Sequence, residues 1–377
     1  MRDRKLVLQS ITGLRGIACL FIVCYHYFCL FIDDPGLGME ALPFGAHAEF
    51  FFVYAKNAVE LFFMLAGFLT AYHYRGRIAD LSFGAYFKKH YGKLLIPSLI
   101  VNAWAVFNEL ALPSSDIAVT PIRFVLSVLM INTGWFTSYS QTGLPINSTM
   151  WFIDVLLLCY LLYYAIRKLT KNRYVYICMC TLMALLGWIC LEHTPKLPFL
   201  WSFDGRGYAP FFIGVLLCEF QEDADETLRK KMSAVLGTLV IGVLIVRLCY
   251  GFETIFGAMG GSRYVRYFEF IAAPGLVLTA LNLPPVTNVL EWKPIVWLGG
   301  LATALYYVHN NIMQDYAILN NRAGEPVSFS AWPIFLLVII SVVPFAMLYR
   351  FLEKKVKGYI RSYQENKGAK LSDDAKN

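Results

Sequence analysis

Residues 11–32, ITGLRGIACLFIVCYHYFCLFI, form a run in which Arg15 is the only charged side chain. A helix that crosses a bilayer needs about 20 predominantly apolar residues, and this run meets that length. Nine further runs follow the same reading: 51–72, 94–111, 150–166, 174–192, 207–220, 232–250, 264–281, 295–314 and 331–350. The sixth is short. The stretch 122–132 is apolar but too short to span and is read as an interfacial or re-entrant helix. These runs predict an all-α fold, a polytopic membrane bundle of about ten helices.

Composition agrees. Of the 377 residues, 58% are hydrophobic and 16% charged, and mean hydropathy is +0.53; soluble domains carry about 25% charged residues. An even helix count puts both termini on one side. With that side cytoplasmic, 24 of the 33 Lys and Arg fall inside and 7 outside, as the positive-inside rule requires. The net charge of +7 is thereby explained by anionic lipid headgroups, without nucleic acid. The basic N-terminus and long first run read as a start-transfer anchor in a bacterial inner or plasma membrane. The nine cysteines contain no CxxC pair, so neither a disulfide framework nor a zinc site is expected. One membrane domain is expected over 1–360. The basic segment 361–377 is expected to be a disordered cytoplasmic tail.

Charged groups in hydrocarbon are costly and mark function. Arg15 and His26 are 11 residues apart, close to three helical turns, so they share a face about 16 Å apart along the axis. A snorkelling arginine and a histidine bonded to a backbone carbonyl form the alternative. Glu60, at about the depth of His26, either orients that imidazole or pairs with Lys56 one turn away. Asp154 is either a helix-start carboxylate favoured by the dipole or faces a cavity. Tyr306 and His309 share a face, and the run His309-Asn310-Asn311 exceeds what an interfacial aromatic belt explains. Arg75, Arg77, Lys88, Lys89 and Lys93 either follow the positive-inside rule alone or form a phosphate-binding floor, with Phe83, Tyr86, Phe87 and Tyr91 placed for stacking.

These residues resemble the acyltransferase-3 family of membrane proteins. Ile11 to Ala18 with His26 resembles its Arg-x10-His signature. Glu60-Leu61-Phe62-Phe63-Met64-Leu65-Ala66-Gly67-Phe68-Leu69 resembles its second motif. Phe87 to Pro97 is similar to its basic segment before the third helix. Trp151-Phe152-Ile153 with Tyr160, and Leu298-Gly299-Gly300 with Tyr306 and His309, are similar to its later motifs. The chain departs from the pattern at Ala66, Leu156 and Ala302, where Ser, Glu and Ser are usual. The resemblance implies a stand-alone enzyme moving an acyl group, usually acetyl, from cytoplasmic acetyl-CoA to a sugar hydroxyl of an envelope or secreted glycan. It implies His26 as general base, with Arg15 and Glu60 beside it in the catalytic set. Arg15, Arg75 and Lys93 would bind CoA, and Asp154, Tyr306 and His309 the acceptor. Acyl-CoA is then a co-substrate, with no permanently bound cofactor and no metal. A transporter or flippase of a lipid-linked sugar is the competing reading, although no internal repeat is visible. A membrane scaffold or receptor ranks behind both, because it leaves the intramembrane His and Glu unexplained.

Overall fold

The computed structural model describes residues 4–31, 54–76, 78, 80–111, 120–135, 146–193, 195, 197–250, 265–323, 328–329 and 331–374. The described chain is helical. Helix α1 spans Arg4–Phe31. A 3₁₀ turn, Tyr54–Asn57, leads into α2, Ala58–Tyr74. Then follow α3, Phe83–Ala111, and the short α4, Thr120–Val128. A second 3₁₀ turn, Ser148–Met150, opens α5, Trp151–Leu169. Helices α6, Arg173–His193, α7, Ser202–Asp223, and α8, Glu226–Tyr250, come next. A π turn at Phe268–Ala272 precedes α9, Ala273–Asn282, and α10, Pro284–Leu290. The last two are α11, Lys293–Arg322, and α12, Trp332–Asp374.

Each of the ten expected runs lies on a helix within the described residues, and 122–132 contributes only the nine-residue α4. Among the described residues, five helices are long and apolar enough to cross a membrane: residues 5–31 of α1, α3, α5 with its leading turn, α6, and α12 as far as Tyr359. The pair 265–282 and 284–290 also qualifies but bends by 87°; Pro284 and Pro285 start the second helix and cannot continue the first. The other runs are shorter or more polar for a physical reason. Helix α2 has 17 residues, most of them buried in the bundle, and α11 carries a buried His309-Asn310-Asn311 run. Helices enclosed by protein hold polar groups that lipid would exclude. The surface is the reverse: Leu182 and Ile189 on α6, Val235 and Ile241 on α8, and Leu336 and Ile340 on α12 are exposed, a greasy exterior suited to acyl chains. The protein is thus an all-α, multi-pass membrane bundle. Helix α12 continues through most of the segment expected to be a disordered tail, as far as Asp374.

Glycines set two close helix contacts that position the site. On α1 and α11, a Cβ at Gly16 would lie 2.6 Å from the backbone N of Gly299, and one at Gly299 would collide with the Thr12 carbonyl. On α2 and α7, a Cβ at Gly67 would strike the Phe211 carbonyl, and one at Gly214 the Met64 carbonyl. Small residues let membrane helices approach backbone to backbone. With the backbones so close, polar side chains on facing helices come within bonding reach.

Candidate active site

Helices α1 and α11 run side by side in the same direction, so their polar residues meet in order. Arg15 Nη2 donates to Thr303 Oγ1 at 2.9 Å, and Cys19 Sγ lies 3.2 Å from the Ala302 carbonyl. Further along, His26 Nδ1 lies 3.1 Å from His309 Nε2, with ring centroids 4.8 Å apart. His309 Nδ1 faces the Leu305 carbonyl at 3.1 Å, and His26 Nδ1 the Ile22 carbonyl at 2.9 Å. A carbonyl only accepts, so the bond network assigns the proton of His309 to Nδ1 and leaves Nε2 as acceptor. His26 then carries its proton on Nδ1, shared between Ile22 O and His309 Nε2. Its Nε2 is left with a free lone pair, the atom a general base needs.

A cavity of about 310 Å³ lies between α1, α2, α3, α5 and α11. At one end are Lys89, Lys93, His73 and His90; Arg15 and Thr303 lie along it; Tyr306 marks its far part, one helical turn from His309. The Tyr306 and His309 ring centroids are 5.7 Å apart. His90 is set among aromatic rings. It lies 3.0 Å from the Tyr74 hydroxyl, and its ring centroid is 4.2 Å from that of Tyr160 and 4.5 Å from that of Tyr86. Lys89 Nζ sits 4.7 Å from the Tyr74 ring centroid. Ala66 and Leu156, two positions where the chain departs from the family pattern, both line this cavity. With Phe62, Leu69, Phe152 and Ile153 they give it an apolar wall.

The expected site residues fall into two groups. Arg15, Lys93 and Tyr306 share the cavity, and His26 and His309 meet beside it. Three others are placed differently. Glu60 is fully buried, and its Oε1 accepts from Arg206 Nε at 2.5 Å; its charge partner is that guanidinium on α7, with neither His26 nor Lys56 bonded to it. Arg75, just past the end of α2, pairs with Glu222 at 2.6 Å and approaches Asp223 at 3.8 Å. Helices α2 and α7 run together in the same direction, so the acidic end of α7 captures it, and it does not line the cavity. Asp154 is also fully buried, but its Oδ2 accepts from the Thr133 N–H at 2.9 Å. It anchors the loop after α4 and does not line the cavity. Arg77 lies outside the described residues.

Tyr306 also has a committed proton. Its hydroxyl donates to the Thr149 carbonyl at 2.5 Å, so it has no second O–H for an oxyanion. Thr149 is held by an asparagine network. Asn147 Oδ1 accepts from Thr149 Oγ1 at 2.7 Å and from Asn310 Nδ2 at 3.2 Å. Asn147 Nδ2 donates to Asn311 Oδ1 at 3.3 Å, and Asn311 Nδ2 to the Val101 carbonyl at 2.9 Å. The Asn310-Asn311 pair therefore ties α11 to α3 and to the turn before α5. That connection holds His309 in register with His26, because buried polar networks that are satisfied are rigid.

Sequence reasoning overlooked Arg206, counting it only among the outer-segment cations. It also overlooked Glu269, although one acidic residue in an apolar run is the signal that had marked Glu60. His73 carried no sequence signal beyond its helical position.

The described residues form a membrane bundle with a histidine pair beside a cation-mouthed cavity. A family profile described as "Acyltransferase domain" matches residues 8–351, and the chain belongs to that acyltransferase-3 family. No curated protein and no solved structure matches it.

Proposed function

We propose that the protein transfers an acyl group, acetyl in the simplest case, from cytoplasmic acyl-CoA to a hydroxyl of a cell-envelope or secreted glycan. The observation that carries this reading is the single cavity running from Lys89 and Lys93 past Arg15 to Tyr306, beside the His26–His309 pair. The cationic mouth suits CoA phosphates, which bind Lys and Arg through charge-assisted hydrogen bonds. Lys93, Lys89 and Arg15 take that role, and Arg75 is withdrawn from it because Glu222 already neutralises it. The distance of about 16 Å from Arg15 to His26 is one an extended pantetheine arm covers.

In the chemical step, His26 Nε2 takes the proton of the acceptor hydroxyl as its oxygen attacks the thioester carbonyl. The new C–O bond forms, the C–S bond breaks, and the imidazolium returns the proton to the departing thiolate. Such base assistance is worth about 10²–10⁴-fold. His309 orients the imidazole through Nδ1 of His26, the part first expected of Glu60.

The test is acceptor-dependent release of CoA thiol by the purified protein in lipid vesicles, together with mass spectrometry of envelope glycans with and without the gene. Thiol release in step with a one-acyl mass gain supports transfer. Movement of a lipid-linked sugar with no thiol release would establish the flippase reading instead.

A further inference from the structure

Buried polar atoms in folded proteins are nearly always hydrogen-bonded, and each exception calls for a reason. Among the described residues, several exceptions gather in one part of the bundle. Glu269, on the π turn before α9, is fully buried, and neither carboxylate oxygen has a partner. Glu60 Oε2 has none either, although Oε1 is held by Arg206. Asn57, three residues before Glu60 and so on the same face, is buried with both Oδ1 and Nδ2 unpartnered. Glu269 lies within electrostatic reach of both Glu60 and Arg206. The turn that ends in Asn57 packs against α1, the helix that carries His26, so the group lies on the side of the bundle where the proposed base stands.

The surroundings fit one kind of ligand. The Arg206 guanidinium carbon sits 4.7 Å from the Trp151 ring centroid and 5.9 Å from that of Phe203, so flat apolar faces flank the polar atoms. Lys56 also lies within electrostatic reach of Arg206 and Glu60. Arg206 and Glu60 already neutralise each other, so the ligand need bring no net charge to that pair. The unpartnered atoms are mostly acceptors, with one amide donor, and they call for a molecule rich in O–H groups. The backbone irregularity matters too: π turns are uncommon and are found often at functional sites, and this one carries the most isolated carboxylate.

We propose that Asn57, Glu60, Arg206 and Glu269, with Trp151 and Phe203 alongside, form the acceptor subsite, and that it takes an uncharged, hydroxyl-rich sugar. The carboxylates accept from vicinal hydroxyls, the Asn57 amide exchanges both kinds of bond, and an aromatic face covers the sugar's C–H side. One hydroxyl is thereby presented to His26 Nε2. This assignment rests on the acyltransferase reading and differs from the acceptor residues Asp154 and Tyr306 expected from sequence, both of which are engaged in holding loops.

The experiment measures CoA thiol release from acetyl-CoA by the full chain in vesicles, with three acceptors: methyl glucoside, methyl glucuronide and methyl glucosaminide. The neutral glucoside is expected to have the lowest KM, by about ten-fold. Glu269→Gln should raise its KM about ten-fold, with the KM for acetyl-CoA and the melting temperature unchanged. Asn57→Ala tests a second wall of the same site and carries the same expectation. A Glu269→Gln enzyme with an unchanged glucoside KM, or a wild type that prefers the glucuronide, would overturn the subsite. Failure of the wild type to release thiol with any acceptor overturns the transfer reading itself, a distinguishable result.

Discussion

Two arginines inside the bundle are treated in opposite ways. Arg206 has a buried carboxylate at 2.5 Å and an aromatic face beneath it. Among the described residues, Arg15 has only a neutral hydroxyl at 2.9 Å, a phenylalanine ring with its centroid 5.9 Å away, and a cavity in front of it. A buried charge with its counter-charge in place needs no anion from outside. A charge left without one, at the wall of a cavity, is set for an anion that arrives from elsewhere. The same contrast repeats at the cationic end of the bundle, where Arg75 is neutralised by Glu222 while Lys93 opens on the cavity.

Substitutions can break this comparison. The largest effect is expected three turns along α1 from the unpaired arginine: His26→Ala should lower acyl transfer by about 10²–10⁴-fold with protein level in the membrane unchanged, read as thiol release per mole of enzyme. Next comes the paired arginine. Arg206→Met leaves Glu60 buried and uncompensated, a loss of about 3–5 kcal/mol, seen as a lower melting temperature in detergent. The double variant Glu60→Leu/Arg206→Met should recover much of that stability. A double variant as unstable as the single one would mean the loss comes from packing rather than charge.

Arg15→Met should do the reverse. It should raise the KM for acyl-CoA by about ten-fold or more, the size of a lost charge-assisted hydrogen bond of about 1.5–3 kcal/mol, and leave the melting temperature nearly unchanged. Lys93→Ala should weaken the donor less, and its effect should shrink as salt is added, because it faces solvent. The smallest effect is expected from Arg75→Ala: a stability change within about 1 kcal/mol and no change in KM for acyl-CoA. A large KM effect there would return Arg75 to the donor site and weaken the contrast between paired and unpaired cations.

Much of the molecule was legible along the chain. Apolar length marked the ten expected runs, and an 11-residue spacing put Arg15 and His26 on one face, because both signals are carried by a single helix. The partners of those residues were not legible in the same way. His26 and His309 are far apart in sequence, as are Glu60 and Arg206, and nothing local announces either pair. Glu60 and Lys56 met the helical spacing rule for an ion pair, yet the guanidinium on α7 was the partner found. Asp154 had two readings of equal weight until the loop at Thr133 was seen to use its carboxylate.

What the sequence determined by itself is the solvent the chain lives in, the helices that live there, and the few ionisable groups that must be accommodated among them. Which of those groups neutralise one another and which are left facing a cavity was decided by tertiary packing alone. The reason is physical. Hydropathy and helical period are properties of consecutive residues, whereas charge pairing depends on the distance between backbones, and here glycines such as Gly16, Gly67, Gly214 and Gly299 set that distance.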